Sequence, residues 1–125
     1  MIQLDLTDNR PLYEQIKEKI SELIIKKVLS KNEQLPSVRE LSSILAINPN
    51  TIQRAYKDLE REGYIYSQQS KGSFVAPIEH TAKIAQTNDL IESLNNIILK
   101  LKYLGYEKDA INELVQEAFK GGTEN

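Results

Sequence analysis

Cysteine is absent from the 125 residues, which removes disulfide frameworks, thiolate metal sites and cysteine nucleophiles together. Histidine occurs once, at His80, with no second ligand at metal-binding spacing, so no metal site is expected. Glycine is scarce, at five residues, and none of them builds a phosphate-cradling loop. With no histidine or cysteine combination suited to a hydrolase, and with carboxylates scattered over polar helix faces, neither catalysis nor a cofactor is expected. No apolar run approaches the ~18 residues of a membrane span. The N-terminus carries Gln3, Asp5 and Asp8 instead of a basic stretch leading into an apolar one, and the chain reads as cytoplasmic, without a membrane partner.

Also missing is an excess of basic charge. The net charge is −2, which argues against a nucleic-acid binder only if the chain is treated as one object. Counted by segment, residues 1–77 hold 11 Lys/Arg against 10 Asp/Glu, and residues 78–125 hold 5 against 8. The acidity belongs to the C-terminal part, and a DNA-binding module needs positive charge only on the surface that meets phosphate. The hydrophobic fraction of 40% is that of an ordinary soluble domain, enough for a core without staples.

Leu12, Ile16, Ile20, Leu23, Ile24 and Val28 recur three or four residues apart with charged residues between them. They predict an amphipathic helix opened by Pro11 and reaching Val28, broken at Ser30-Lys31-Asn32. Ser37 and Glu40 have the spacing of a capping box ahead of Leu41, Ile44 and Leu45, which starts a second, short helix. Ala46-Ile47 form a tight connection. Asn48-Pro49 then reads as an N-cap followed by proline at the first helical position of a third helix, which ends near Glu62-Gly63. Its inward stripe is Ile52, Ala55, Tyr56 and Leu59; Asn50, Gln53, Arg54, Lys57 and Arg61 lie on the other side. Residues 64–68 and 73–76 are aromatic or β-branched enough for two strands joined through Gln69-Ser70-Lys71-Gly72. The order predicts a mainly α fold with a small β-hairpin, a winged helix-turn-helix over residues 1–77.

After Pro77 the polar stretch Glu79 to Asn88 predicts a hinge whose second half is helical. Leu90, Ile91, Leu94, Ile97, Ile98, Leu101 and Leu104 then recur at helical spacing up to Gly105, and a second amphipathic stretch runs from Ala110 to Phe119. Residues 78–125 are expected to form a two-helix tail with more apolar surface than a helical hairpin and the flank of a winged helix can readily cover. The stripe Leu90, Leu94, Ile97, Ile98, Leu101 and Leu104 is therefore expected to join two copies in a homodimer. Gly121 to Asn125 are expected to fray.

Together, Pro11-Leu12-Tyr13, Leu35-Pro36-Ser37-Val38-Arg39-Glu40-Leu41, Asn50-Thr51-Ile52, Ala55-Tyr56, Leu59-Glu60, Glu62-Gly63 and Gly72-Ser73-Phe74-Val75 resemble the GntR family of bacterial repressors. The short tail resembles that of the YtrA subfamily. The resemblance implies a transcription regulator bound as a homodimer to a palindromic double-stranded operator. Four positions depart from the family pattern: Lys27, Asn32, Ala46 and Ser70 stand where glycines are common. Pro49 and Gln53 stand where other branches often have arginines, so the resemblance carries over no operator sequence.

The residues expected at the DNA are Ser37, Arg39, Asn48, Asn50, Thr51, Gln53, Arg54, Lys57, Lys71 and Gly72. Arg39 can fork onto a phosphate or a guanine edge, and the amides around Ser37 can accept a phosphate oxygen. Asn50 or Gln53 can pair with adenine, while Thr51 and Lys57 can position phosphates. Lys71 and Gly72 allow close approach of the hairpin tip to the minor groove or its phosphates. Tyr56, Tyr64 and Tyr66 are better explained by packing and strand propensity than by stacking on bases. The competing reading is a winged-helix module for protein or RNA interaction, without operator binding. Nothing in the residues identifies a small-molecule effector.

Overall fold

The computed structural model describes residues 2–5 and 7–122. The elements, in chain order, are α1 (Leu12–Ile25), α2 (Val38–Leu45), α3 (Pro49–Arg61), β1 (Ile65–Gln68), β2 (Gly72–Val75), α4 (Ile78–Tyr103) and α5 (Lys108–Gly122). The chain folds as two compact units, Met1–Gln86 and Thr87–Asn125.

In the first unit the apolar stripes predicted for the helices meet in one core. Ile16 and Ile20 of α1, Ile52 and Leu59 of α3, Ile65 and Val75 of the hairpin are all essentially inaccessible to solvent. Gln15 is buried beside them, and both ends of its amide are used: Oε1 accepts from the Asp5 amide and Nε2 donates to the Arg10 carbonyl. The polar group is thus satisfied, and it ties the N-terminal segment to α1. Helix α1 stops before Val28, earlier than its apolar spacing predicts. Lys27 turns left-handed at φ 61°, and the amides of Val28 and Leu29 both return to the Leu23 carbonyl. This reversal sends Leu29 to the core and leaves Val28 exposed.

Strands β1 and β2 pair antiparallel, Ile65 opposite Val75 and Gln68 opposite Gly72. A third extended segment, which no local pattern in the sequence predicts, runs along the free edge of β2. The Asn32 amide donates to the Val75 carbonyl, the Val75 amide to the Glu33 carbonyl, and the Leu35 amide to the Ser73 carbonyl. Gln34 is the bridging residue opposite Phe74. The segment covers an edge that would otherwise present unpaired backbone groups.

The first half of Glu79–Asn88, expected to be non-helical, is helical like the second half: α4 runs from Ile78 onward. Its first turns are anchored. The Thr81 hydroxyl donates to the Gly63 carbonyl at 2.7 Å, and Ile84 packs so closely on Gly63 that a Cβ there would lie 2.7 Å from the Ile84 Cβ. Gly63 also holds φ +85°, so helix stop and helix–helix approach both need this glycine. Because these turns pack with the winged helix, the first compact unit extends to Gln86, beyond Pro77.

In the second unit α4 continues to Tyr103 and α5 begins at Lys108. The intervening residues close α4 with Gly105 at φ +98° and a hydrogen bond from the Tyr106 amide to the Leu101 carbonyl, a Schellman-type stop. The helical hairpin expected here does not close, because α5 does not fold back along α4. Gly121 and Gly122 are the last helical residues; the remainder of the segment expected to fray, residues 123–125, lies outside the described residues. No helix among the described residues is long and apolar enough to cross a membrane.

Candidate nucleic-acid interface

The face expected to meet DNA is assembled from the start of α2, the outer side of α3 and the hairpin tip. At α2 the capping box forms as the sequence predicts: the Ser37 hydroxyl accepts from the Glu40 amide at 3.0 Å, and Glu40 Oε1 accepts from the Ser37 amide at 3.1 Å. These hydrogen bonds hold the Glu40 carboxyl below the usual carboxylate range, the backbone amide of Ser37 contributing most. The box uses two amides of the helix start. Those of Val38 and Arg39 remain at the open end, where backbone N–H groups favour an anion. The Arg39 side chain is exposed at the same end.

Helix α2 ends in a left-handed Ala46 at φ 55°, and α3 starts shortly after it. Asn48 caps it, its Oδ1 accepting from the Asn50 amide at 2.8 Å. That oxygen is therefore engaged in holding the helix start, and its NH2 group remains for a ligand. Asn50, Gln53 and Lys57 follow at helical spacing on one exposed face, opposite the buried Ile52, Ala55, Tyr56 and Leu59. Thr51 is half-buried at the margin. Tyr56 belongs to the core: its hydroxyl donates to the Pro36 carbonyl at 2.7 Å, and burial is the main cause that pushes its pKa up to about 12. Arg54 shares the outer face but is stacked on the Tyr13 ring, 3.7 Å from its centroid, with Nη2 donating to the Tyr13 hydroxyl at 3.0 Å. The stack leaves most of the guanidinium donors unused and restricts the arginine before any ligand arrives.

At the hairpin tip Ser70 and Gly72 both have positive φ, 66° and 114°, and Lys71 between them is exposed. The tip is clamped from outside the hairpin. Gln34 Nε2 donates to the Lys71 carbonyl at 2.7 Å, and a Cβ on Gly72 would meet the same nitrogen at 3.0 Å. Below the tip Tyr66 stacks on Phe74 and donates to Asn32 Oδ1, which accounts for it as structure.

Arg10 is paired with Asp8 and Glu18, Lys17 with Glu62, and Arg61 with Asp58. Arg39, Arg54, Lys57 and Lys71 have no carboxylate partner among the described residues. An almost neutral unit thus has uncompensated cations on α2, α3 and the hairpin tip, besides Lys19, Lys26, Lys27 and Lys31, which also form no ion pair among the described residues. Two contributors to this face, Tyr13 and Gln34, are not among the residues that sequence patterns assign to it. Tyr13 stands inside the Pro11-Leu12-Tyr13 motif, the one signal that could have drawn attention to it, and Gln34 lies 37 residues from its partner with no local signal.

The family model for bacterial regulatory proteins of the gntR family matches residues 12–75, from the first residue of α1 to the last of β2. The chain belongs to the GntR family. Over the whole chain it is 37% identical to the HTH-type transcriptional repressor YtrA of Bacillus subtilis, spanning 99% of that protein. Its similarity to a GntR-family repressor thus includes the tail as well as the winged helix. Among solved GntR structures, YtrA from Sulfolobus acidocaldarius, a GntR-family transcription factor, superimposes with a TM-score of 0.59 at 35% identity, covering 72% of this chain and 97% of that one. AraR(DBD) in complex with operator ORE1 superimposes with a TM-score of 0.52 at 33% identity, covering 61% of this chain and 93% of that one. These GntR relatives are winged helix-turn-helix regulators, in agreement with the fold described above.

Proposed function

We propose that this GntR-family protein is a cytoplasmic, non-catalytic, homodimeric transcription repressor that binds a palindromic operator. The winged helix makes the DNA contacts and the tail joins the two copies. The observation that carries the reading is the outer face of α3. Asn50, Gln53 and Lys57 stand exposed at helical spacing along α3, and Arg39 at the α2 start and Lys71 at the hairpin tip are exposed as well. Side-chain amides at the start of a recognition helix can read base edges in a major groove, and the exposed cations and free amides of α2 suit phosphates. Asn48 assists by setting the α3 start, Thr51 lies at the margin of the same face, and Gly72 lets the tip backbone approach closely.

Arg39→Ala and Gln53→Ala test this assignment against DNA from upstream of the protein's own gene, measured by fluorescence anisotropy at fixed salt. Each substitution should weaken binding by roughly 1 to 3 kcal/mol with the fold intact. Binding of both variants within twofold of the wild type would show that this face is not the one that meets DNA.

A further inference from the structure

Within the first unit a cavity of about 380 Å³ opens between the end of α1, the base of the hairpin and the first turns of α4. That volume falls in the range of small-molecule sites, roughly 300 to 1,000 Å³. Most of the wall is apolar, built from Ile24, Leu29, Tyr64, Val75, Ala76 and Ile78. The left-handed turn at Lys27, φ 61°, reverses the chain after α1, so that Leu29, Ser30 and Lys31 return to line the same cavity as Ile24. The Thr81 hydroxyl is on the wall too, but it is engaged by the Gly63 carbonyl.

Three charged side chains complete the lining: Lys27, Lys31 and Glu79. All are exposed, and none forms an ion pair among the described residues. Two cations against one carboxylate leave an excess of one positive charge at the edge of an apolar cavity. The complementary molecule is apolar along most of its length and carries a single negative charge at one end.

We infer that this cavity binds a medium-chain carboxylate, its alkyl chain against Ile24, Leu29 and Val75 and its carboxylate between Lys27 and Lys31. The site shares no residue with the DNA face, and its binding does not depend on the operator reading. It is nonetheless placed where an occupant touches the support of the wing. Val75 exchanges backbone hydrogen bonds with Asn32 and Glu33, and the Ala76 amide donates to the Tyr64 carbonyl, so the molecule rests on the backbone that joins the hairpin to α4.

Calorimetric titration of decanoate, below its micelle concentration, into the full-length protein reads the binding directly. One molecule per chain should bind saturably. Octanoate should bind about fifteenfold more weakly, each of the two missing methylenes being worth about fourfold. Decan-1-ol, with the same chain and no charge, should also bind severalfold more weakly. Lys31→Ala and Lys27→Gly should each weaken decanoate binding severalfold, whereas Glu79→Gln, which removes the opposing carboxylate, should tighten it. Lys27→Gly also relieves the left-handed backbone, so loss of binding there does not report a damaged fold. Absence of saturable binding overturns the inference. Equal affinity for decanoate and decan-1-ol overturns it as well, because no anion is then selected. So does binding that all three substitutions leave unchanged, which would put the carboxylate on other apolar surface, such as the exposed leucines of α4 and α5.

Discussion

Lys27, Asn32, Ala46 and Ser70, four side chains at positions where the family commonly has glycine, all take the left-handed conformation, with φ of 61, 66, 55 and 66°. The backbone takes the conformation that glycine adopts most easily although none of the four is glycine. For an L-residue this conformation costs roughly 1 to 2 kcal/mol, less for asparagine, whose short amide can bond locally. Asn32 is the mildest of the four for that reason, and its Oδ1 also accepts from the Tyr66 hydroxyl. Ala46 is exposed and has no such compensation. Ala46→Gly should therefore raise stability by about 1 kcal/mol, and Lys27→Gly by a similar amount, while Asn32→Gly should lower it through loss of the Tyr66 bond. Urea unfolding of the three variants checks the sign at each site. Gain at Asn32 or loss at Ala46 would contradict the backbone account.

At the scale of elements the hairpin tip is oriented by something outside itself. A two-stranded hairpin is marginal alone, and here Asn32–Leu35 adds a third edge while Gln34 holds the Lys71 carbonyl. Gln34→Ala should release the tip without touching the core, since Gln34 is exposed. Operator affinity should fall severalfold, with the melting temperature changed by a few degrees at most, of the order that one lost exposed hydrogen bond brings. Anisotropy titration alongside thermal unfolding separates the two effects. An unchanged affinity would mean that the tip needs no clamp, or that it stays clear of the DNA. The junction of α3 and α4 is the stiff counterpart: Gly63 accepts both a positive φ and the Ile84 side chain, so the start of α4 is held against the winged helix.

For the whole molecule the net charge is −2, yet Arg39, Arg54, Lys57 and Lys71 on α2, α3 and the hairpin tip lack carboxylate partners among the described residues. Association with DNA should then proceed through a local basic surface that displaces counterions, despite overall repulsion. The logarithm of the affinity should fall linearly with the logarithm of salt concentration, and Lys57→Ala should reduce the slope by about one. Titrations at four or more salt concentrations measure both. A slope near zero would remove phosphate contact from the mechanism.

Sequence alone determined the features that depend on near neighbours along the chain. The Ser37/Glu40 box, the Asn48-Pro49 start of α3, the opposed faces of α3 and the stop at Gly63 are set by periodicity and capping chemistry within a few residues, and all of them form. The winged helix-turn-helix followed from their order, and the family resemblance from the residue motifs themselves. What lies far apart in sequence was decided only by the fold. The polar composition of residues 79–88 suggests a hinge, but Thr81 and Ile84 find Gly63 and the segment becomes helix. Gln34 meets Lys71 and Tyr13 meets Arg54 across 37 and 41 residues, contacts that no local pattern encodes. The tail shows the same division: its apolar periodicity announces two helices that must be covered, whereas the turn at Gly105 decides that they do not cover each other. Local propensity acts through the backbone of adjacent residues, while packing acts between surfaces that only the folded chain brings together.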